Sequence, residues 1–354
     1  MKIGLISTYS NQTPPLTYGG EIYYWGLADT LGKMGHEVHL FATGGSQCPT
    51  NGELHYIKST SGGGINYAIE DWLFNEYKDL LLSMDIVHDC SLDHITAEKL
   101  KNLCSKKEIV NTLNGRTYRM PRPPFNVVTG SKFWQEDAWK WGLKSEMIYW
   151  GIDTNFYVPG ENREDYYLWL ARFHPDKGID TVLDLAEYLG FPLKVAGSLL
   201  FKDHANYGRK YISRINNIPN VEYIDLPTDS THHIKKRELY QKAKAFLYPV
   251  NYEECFGLVV VEALACGCPV ITNDRGAMPE LVEHKRNGFV CKTKHDYTSV
   301  ILDWIPSYEI NNKHYYSGFD LWKNAREKAL EFSWERAAVE YEQLYKKVIE
   351  GYTW

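Results

Sequence analysis

Short apolar, β-branched runs alternate with amphipathic windows along most of the chain. The first run covers residues 2–8, and in the window that follows, residues 21–34, apolar positions recur at helical spacing. Gly35 comes directly after this window, where glycine commonly ends a helix. Alternation of this kind predicts a parallel sheet with helices on both faces. The strands predicted in this half are 2–8, 37–43, 86–88, 108–113 and 126–129.

A polar stretch with proline and glycine, residues 151–164, interrupts the alternation and is predicted to be a linker. The alternation then starts again, which predicts two Rossmann-like halves whose ligands lie beyond the carboxyl ends of the strands, in a cleft between facing sheets. Strands are predicted at 166–171, 193–196, 221–224, 245–250 and 270–272, and helices at 179–189, 234–243 and from about 257. The predicted domains are 1–155 and 156–332, followed by a terminal helix, 333–354, packing back toward the first.

Composition narrows the class of protein. The chain has 354 residues, 44% apolar and 24% charged, which suits roughly two globular domains. A net charge of -6 argues against a nucleic-acid partner. We find neither a membrane-length apolar stretch nor a signal peptide, so a cytoplasmic location is expected. The seven cysteines form no paired framework, and buried thiols in a reducing compartment are favoured over a metal site.

The segment from Glu254 to Glu262 carries the main chemical signal. A predicted strand points into it, and Gly257 opens a helix whose amino terminus can bind phosphate. At about 1.5 Å of rise per residue, the two carboxylates are separated by roughly the span of a sugar-diphosphate-ribose unit. Carboxylates accept hydrogen bonds from paired hydroxyls. Two surface glutamates could share this spacing by chance, so the surrounding residues matter.

Those surroundings resemble the donor site of the retaining GT-B glycosyltransferases of family GT4. The resemblance rests on Phe256-Gly257-Leu258 and on residues 263–271, 279–282 and 287–290. It implies an α/β fold of the GT-B class, with two Rossmann-like domains facing across a cleft. It also implies that Glu262 holds the ribose, and that Glu254 and the backbone at Phe256, Gly257 and Leu258 position sugar and phosphate.

Two further segments match the same family. Arg172 and Lys177, after the first strand of the second half, correspond to the cations that bind the donor diphosphate and stabilise its charge as the sugar leaves. Gly19 and Gly20 correspond to a glycine pair near the donor phosphate and the acceptor, although a glycine pair alone is an ordinary turn signal. The catalytic assignment is therefore Arg172, Lys177 and Glu254.

The acceptor side departs from the family. Where relatives carry His-x-His, this chain has His88 followed by Cys90, and where they carry Thr-x-His-Gly it has Asn114 in place of histidine. The candidates left for the acceptor side are His88, Asp89, His94 and Asn114. Seven Lys or Arg between residues 99 and 122 could meet an anionic membrane surface or a phosphorylated acceptor, though a solvated surface is favoured.

Together these observations predict retaining, metal-independent transfer of a hexose from a nucleotide-diphosphate sugar, with UDP- and GDP-sugars as the expected donors and no cofactor. The acceptor, whether a glycan, a lipid or a small molecule, is undecided, and peripheral contact with the inner membrane face remains open. Two alternatives are a nucleotide-sugar 2-epimerase-like isomerase and a non-catalytic sugar-nucleotide-binding protein.

Overall fold

The computed structural model describes residues 1–14, 20–59, 67–113, 125–199, 205–304, 308–310, 313–315 and 320–354. The chain forms two compact units. Unit 1 comprises Met1–Ile152 and Phe332–Trp354, and unit 2 comprises Asp153–Glu331. The boundaries predicted from the sequence, 155/156 and 332/333, lie within three residues of this division. The terminal segment is part of unit 1.

Unit 1 is built on a seven-stranded parallel sheet in the order β3-β2-β1-β4-β5-β6-β7. Its strands are β1 (Lys2–Ile6), β2 (Glu37–Thr43), β3 (Gly52–Ile57), β4 (Ile86–Asp89), β5 (Ile109–Thr112), β6 (Val127–Thr129) and β7 (Ser145–Met147). Its helices are α1 (Gly20–Lys33), α2 (Tyr67–Leu82), α3 (Ile95–Leu103), α4 (Lys132–Lys140) and, at the chain end, α12 (Trp334–Ile349).

Both faces of this sheet are covered, because successive side chains of a strand point to opposite sides. Leu5 and Leu40 belong to a core shared with α1 and α12, whereas Ile6 and Phe41 belong to a second core shared with α2 and α3. The terminal helix contributes Tyr341 among other residues to the first core. The last helix of the chain is therefore an integral layer of unit 1.

Unit 2 is built on a six-stranded parallel sheet in the order β10-β9-β8-β11-β12-β13. Its strands are β8 (Tyr167–Leu170), β9 (Leu193–Gly197), β10 (Val221–Asp225), β11 (Ala245–Tyr248), β12 (Val270–Asn273) and β13 (Gly288–Cys291), with a separate hairpin of β14 (Tyr308–Ile310) and β15 (Lys313–Tyr315). Its helices are α5 (Ile179–Leu189), α6 (Ala205–Ile215), α7 (His232–Lys242), α8 (Leu258–Ala265), α9 (Met278–Leu281), α10 (Lys294–Ser299) and α11 (Leu321–Ala329).

The two parallel sheets confirm the predicted α/β class and the restart of the alternation. Most predicted elements occur within about two residues of their expected bounds; α7, for example, begins at His232 instead of residue 234, but the terminal helix ends at Ile349 instead of residue 354. Residues 151–164 contain no helix or sheet strand, as expected for a connection. In the described part of the chain, every helix is too short or too polar to cross a bilayer.

Candidate functional site

The candidate site lies at the carboxyl ends of the central strands of unit 2. After β8, a single 3-10 turn at Pro175–Lys177 begins with His174, whose side chain accepts a hydrogen bond from the backbone N–H of Asp176. Gly178 ends the turn with φ of +70°, and a Cβ at this position would lie 1.8 Å from the carbonyl oxygen of Pro249. Only glycine allows this approach, which brings the β8 loop against the segment that follows β11.

This approach brings Lys177 and Glu254 together. The Lys177 ammonium donates a hydrogen bond of 2.9 Å to Glu254 Oε2 and another of 2.9 Å to the hydroxyl of Tyr248. It also donates to the hydroxyl of Tyr252. Both tyrosine hydroxyls donate in turn to the same oxygen of Glu254. We call these four side chains the Lys177–Glu254 network.

Within this network the Glu254 carboxyl group is ionised and the two tyrosines are neutral. Burial raises the pKa of Glu254, but the charge of Lys177 and the hydrogen bonds from Tyr252, Lys177 and Tyr248 outweigh burial and lower this pKa below its ordinary value. Burial and the Glu254 charge raise the pKa of both tyrosines well above theirs, so they stay neutral donors. The side chains of Lys177 and Glu254 are only 12% and 15% exposed, so the pair is weakly screened by solvent.

Arg172 lies two residues beyond the end of β8 and is exposed. The pKa of Tyr248 is raised by burial and by Glu254, and the positive charge of Arg172 offsets part of that increase. The electrostatic influence of Arg172 therefore reaches the Lys177–Glu254 network. A guanidinium that is accessible at this edge can bind phosphate oxygens bidentately.

The amino terminus of α8 lies at the same edge. Gly257 precedes the helix with φ of +103°, and a Cβ there would lie 2.6 Å from the methyl carbon of Met278. Phe256 is 2% exposed and anchors the turn, and Leu258 is the first helical residue. The helix end carries a partial positive charge and backbone N–H groups, which suit an anion. Two basic side chains and a helix end thus occur at one edge of the sheet.

Glu262 is placed differently from Glu254. Its carboxylate is 4% exposed and forms an ion pair of 2.7 Å with Lys236 of α7. The hydroxyls of Tyr157 and Tyr240 donate to its two oxygens at 3.2 and 3.4 Å. A ribose diol would have to compete with these partners for the carboxylate, so the predicted ribose contact stays a prediction.

Sequence analysis missed the three partners of Glu262, namely Lys236, Tyr157 and Tyr240. It also missed the two tyrosines of the Lys177–Glu254 network, Tyr248 and Tyr252. The two tyrosines carry a usable signal, because they lie at or just after the carboxyl end of a predicted strand, where ligands of such sheets bind. Lys236 carries no such signal. It is one of several lysines on α7, and only the packing of α7 against α8 selects it.

His88, a candidate for the acceptor side, lies in the core of unit 1. It is fully buried, with Nδ1 2.6 Å from the Tyr345 hydroxyl and Nε2 2.6 Å from the Thr112 hydroxyl. Burial, with a smaller effect from His94, lowers the pKa of His88 to about 3. A histidine with both ring nitrogens bonded inside the core is poorly placed to contact an acceptor, which corrects the sequence-based assignment.

Asp89 and His94 lie in a buried group beyond β4. The Asp89 carboxylate is fully buried and accepts hydrogen bonds from the backbone N–H groups of Ser91 and Ala97, at 2.8 and 3.2 Å. His94 is 1% exposed, and its Nδ1 lies 3.9 Å from Asp89 Oδ1. Burial lowers the pKa of His94. These two acceptor-side candidates lie close to each other, and both are buried in the interior of unit 1.

The remaining predicted residues are Gly19, Gly20 and Asn114. Gly19 and Asn114 lie outside the described residues. Gly20 is the first residue of α1, and a Cβ there would meet no described atom closer than 3.7 Å, that of the Tyr24 hydroxyl. Contacts within the described part of the protein therefore do not require glycine at position 20. The predicted place of Gly20 near the donor phosphate stays a prediction.

The chain is similar to known glycosyltransferases. The family described as "Glycosyl transferases group 1" matches residues 153–318, which lie within unit 2. An uncharacterized glycosyltransferase of Methanocaldococcus jannaschii is 24% identical, with 99% of both chains covered. A second one from that organism is 25% identical over 57% of this chain, which spans only 53% of that relative.

The comparison with solved structures concerns the fold. The Anabaena protein HepE in complex with UDP and glucose superposes with a TM-score of 0.69 at 16% identity, covering 99% of this chain and all of HepE. Together with related glycosyltransferase structures of similar coverage, it confirms that the fold is GT-B. The family match, the named relatives and this fold agree with the resemblance carried by the Glu254–Glu262 segment. Residues 153–318 therefore match the group 1 glycosyltransferase family, and the chain as a whole is similar to glycosyltransferases.

Proposed function

We propose that this protein transfers a hexose from a nucleotide-diphosphate sugar to an acceptor hydroxyl, with retention of anomeric configuration and without a metal ion. The observation that carries the proposal is the Lys177–Glu254 network, which holds an ammonium group beside Arg172 and the amino terminus of α8. These are the groups that a diphosphate leaving group needs. Unit 2 is the donor-binding unit in this proposal, and unit 1 supplies the acceptor side.

The chemistry follows from where negative charge develops. As the bond from the sugar to the diphosphate breaks, charge builds up on the phosphate oxygens, and cations that are already in place stabilise it without reorganisation. Lys177 is held by three oxygen partners, so its position is set before the donor arrives. With Arg172 it supplies the positive charge that a divalent cation provides in other transferases.

Glu254 suits a positioning role better than a nucleophilic one. One of its oxygens, Oε2, accepts from Lys177, Tyr248 and Tyr252 at once, which lowers the electron density available for attack. We therefore explain retention of the anomeric configuration by the mechanism that the family resemblance implies. In that mechanism the departing phosphate helps to deprotonate the acceptor on the same face of the sugar.

The donor is proposed to be a UDP- or GDP-sugar. The structure of HepE contains UDP and glucose, which supports uracil as the base of the donor. A panel of UDP-, GDP- and ADP-sugars, tested by thermal shift and by turnover with and without acceptor, identifies the base, because a ligand that binds the native state raises apparent stability. Formation of an epimer without acceptor would indicate an isomerase, and binding without turnover over a broad acceptor panel would indicate a non-catalytic binding protein.

Lys177→Ala tests the site directly. We expect kcat to fall by about 10²- to 10³-fold, the effect of removing one preorganised group that stabilises transition-state charge. The matched control is Lys235→Ala, since Lys235 is 45% exposed on α7 and pairs only loosely with Glu238, at 3.8 Å. Equal loss in both variants, or a product of inverted anomeric configuration, would contradict the proposal.

A further inference from the structure

A cluster of histidines and carboxylates lies in unit 1, on the two strands at one edge of the sheet. Glu37 and His39 are on β2, and Glu53 and His55 are on the edge strand β3. Because β2 and β3 run parallel with His39 opposite Glu53, and because alternate residues of a strand share a face, all four side chains lie on one side of the sheet. We call them the β2–β3 histidine cluster.

Three atoms of this cluster form a small triangle. His39 Nδ1 lies 2.9 Å from His55 Nε2, and each of these nitrogens lies 3.7 Å from Glu53 Oε2. Ligand atoms bound to one tetrahedral zinc ion are about 3.3 Å apart, because each bond is roughly 2.0–2.2 Å long. The Glu53 side chain, 66% exposed, is free to shorten its two distances, and the two imidazole nitrogens would have to separate by a few tenths of an ångström.

The rings are already oriented for such a role. His39 Nε2 lies 2.9 Å from Glu37 Oε1, so Nε2–H donates a hydrogen bond to the carboxylate and the Nδ1 lone pair of the neutral ring is directed at His55. A carboxylate on the far nitrogen is the usual support of a metal-bound histidine.

The second imidazole is fixed by packing. The His55 ring stacks on Phe41 with centroids 4.7 Å apart and meets the edge of Tyr77 from α2 at 5.8 Å. The charged groups around the pair are Glu37, Glu53 and Lys2, which leaves a net negative environment.

We propose that His39, His55 and Glu53 bind one Zn²⁺ ion, with the fourth position open to solvent. Two imidazoles and one carboxylate are a ligand set that zinc favours. The ion would tie the edge strand β3 to β2 near the beginning of both strands, whereas substrates of parallel sheets bind at the carboxyl ends. The proposed zinc site is therefore not part of the proposed donor site, and it is independent of the proposed glycosyl transfer.

The test is zinc binding by the chelator-treated full-length protein, with any affinity tag removed. We expect one Zn²⁺ per chain and a higher unfolding temperature in the presence of ZnCl₂. His55→Gln removes a ligand and should weaken binding by more than about 10-fold. Glu37→Gln, which removes only the support of His39, should weaken it about 10- to 100-fold with the stoichiometry unchanged. The control His295→Gln replaces an exposed histidine of α10 and should bind as the wild type does.

The competing explanation is a hydrogen bond between the two imidazoles and no metal. It holds if the wild type binds no zinc stoichiometrically, or if His55→Gln and His295→Gln bind equally well, and either result overturns the proposal. Should His55→Gln fail to fold, X-ray absorption of the zinc-loaded wild type decides. The proposal requires two imidazole ligands in that spectrum, and a spectrum without them refutes it.

Discussion

In unit 2, Glu254 and Glu262 each face a lysine, Lys177 at 2.9 Å and Lys236 at 2.7 Å. In unit 1, Asp29 pairs with Lys33, but three other buried carboxylates, Glu70, Asp89 and Asp93, have no lysine or arginine partner among the described residues and are held mainly by neutral donors. Backbone N–H groups bond to Glu70 and Asp89, and the Tyr9 hydroxyl donates to Asp93 at 2.7 Å.

The difference shows in the protonation of these groups. Burial and the nearby Asp89 raise the pKa of Glu70 to about 8, whereas the pKa of Glu254 is lowered because its lysine and tyrosine partners outweigh burial. Unit 2 keeps fixed charges, which suits a permanently anionic donor. Unit 1 keeps a carboxyl group that changes protonation near neutral pH.

The largest expected effect comes from breaking a buried ion pair in unit 2. Lys236→Met leaves Glu262 buried without its cation, and we expect the unfolding free energy to fall by about 3–5 kcal/mol, measured by chemical denaturation. The control is Lys235→Met, at an exposed pair, with an expected loss below about 1 kcal/mol.

The double variant Lys236→Met/Glu262→Gln tests the same buried ion pair by removing both of its charges. Since it removes both charges, it should recover most of the lost stability. Its affinity for the donor then tests the ribose contact predicted for Glu262. If the double variant binds the donor as tightly as the wild type, that contact is wrong and Glu262 serves stability alone.

A smaller effect is expected from pH in unit 1. Because the pKa of Glu70 is about 8 in the folded protein and lower in the unfolded chain, the folded state binds more protons between these values, and stability falls as pH rises. From pH 7 to 8 this loss is about 1 kcal/mol. Asp89→Asn removes the neighbouring charge and should reduce the loss, whereas Asp79→Asn, at an exposed position of α2, should not. An identical slope in Asp89→Asn and wild type would refute this coupling.

The smallest effect is expected at the junction of the terminal helix with the sheet. Tyr345→Phe removes the hydroxyl that bonds His88 Nδ1 and should lower the unfolding free energy by about 1 kcal/mol. Turnover should be unchanged, because His88 is buried in the core of unit 1. A large loss of turnover at unchanged stability would restore His88 as an acceptor-side residue.

Prediction from the sequence succeeded for most of the buried strands, although it missed the largely buried β13, and it failed for strands with exposed or polar residues. The central strands β1 and β11 are almost fully apolar and were predicted. The edge strand β3 was missed because five of its six residues are exposed or half-buried and only Ile57 is buried. The strand β7 was missed because its three residues include a serine and a glutamate, whereas the equally short β6 is apolar apart from Thr129 and was predicted.

The sequence by itself determined the α/β class, the two sheets and the residue types of the donor motif, because periodicity and short-range spacing encode these features. Tertiary structure alone decided which groups meet. Lys177 reaches Glu254 across 77 positions because Gly178 allows its loop to approach the Pro249 carbonyl. His88 meets Tyr345 across 257 positions because α12 packs on the first sheet. Such contacts depend on the packing of distant elements, which local sequence patterns do not encode.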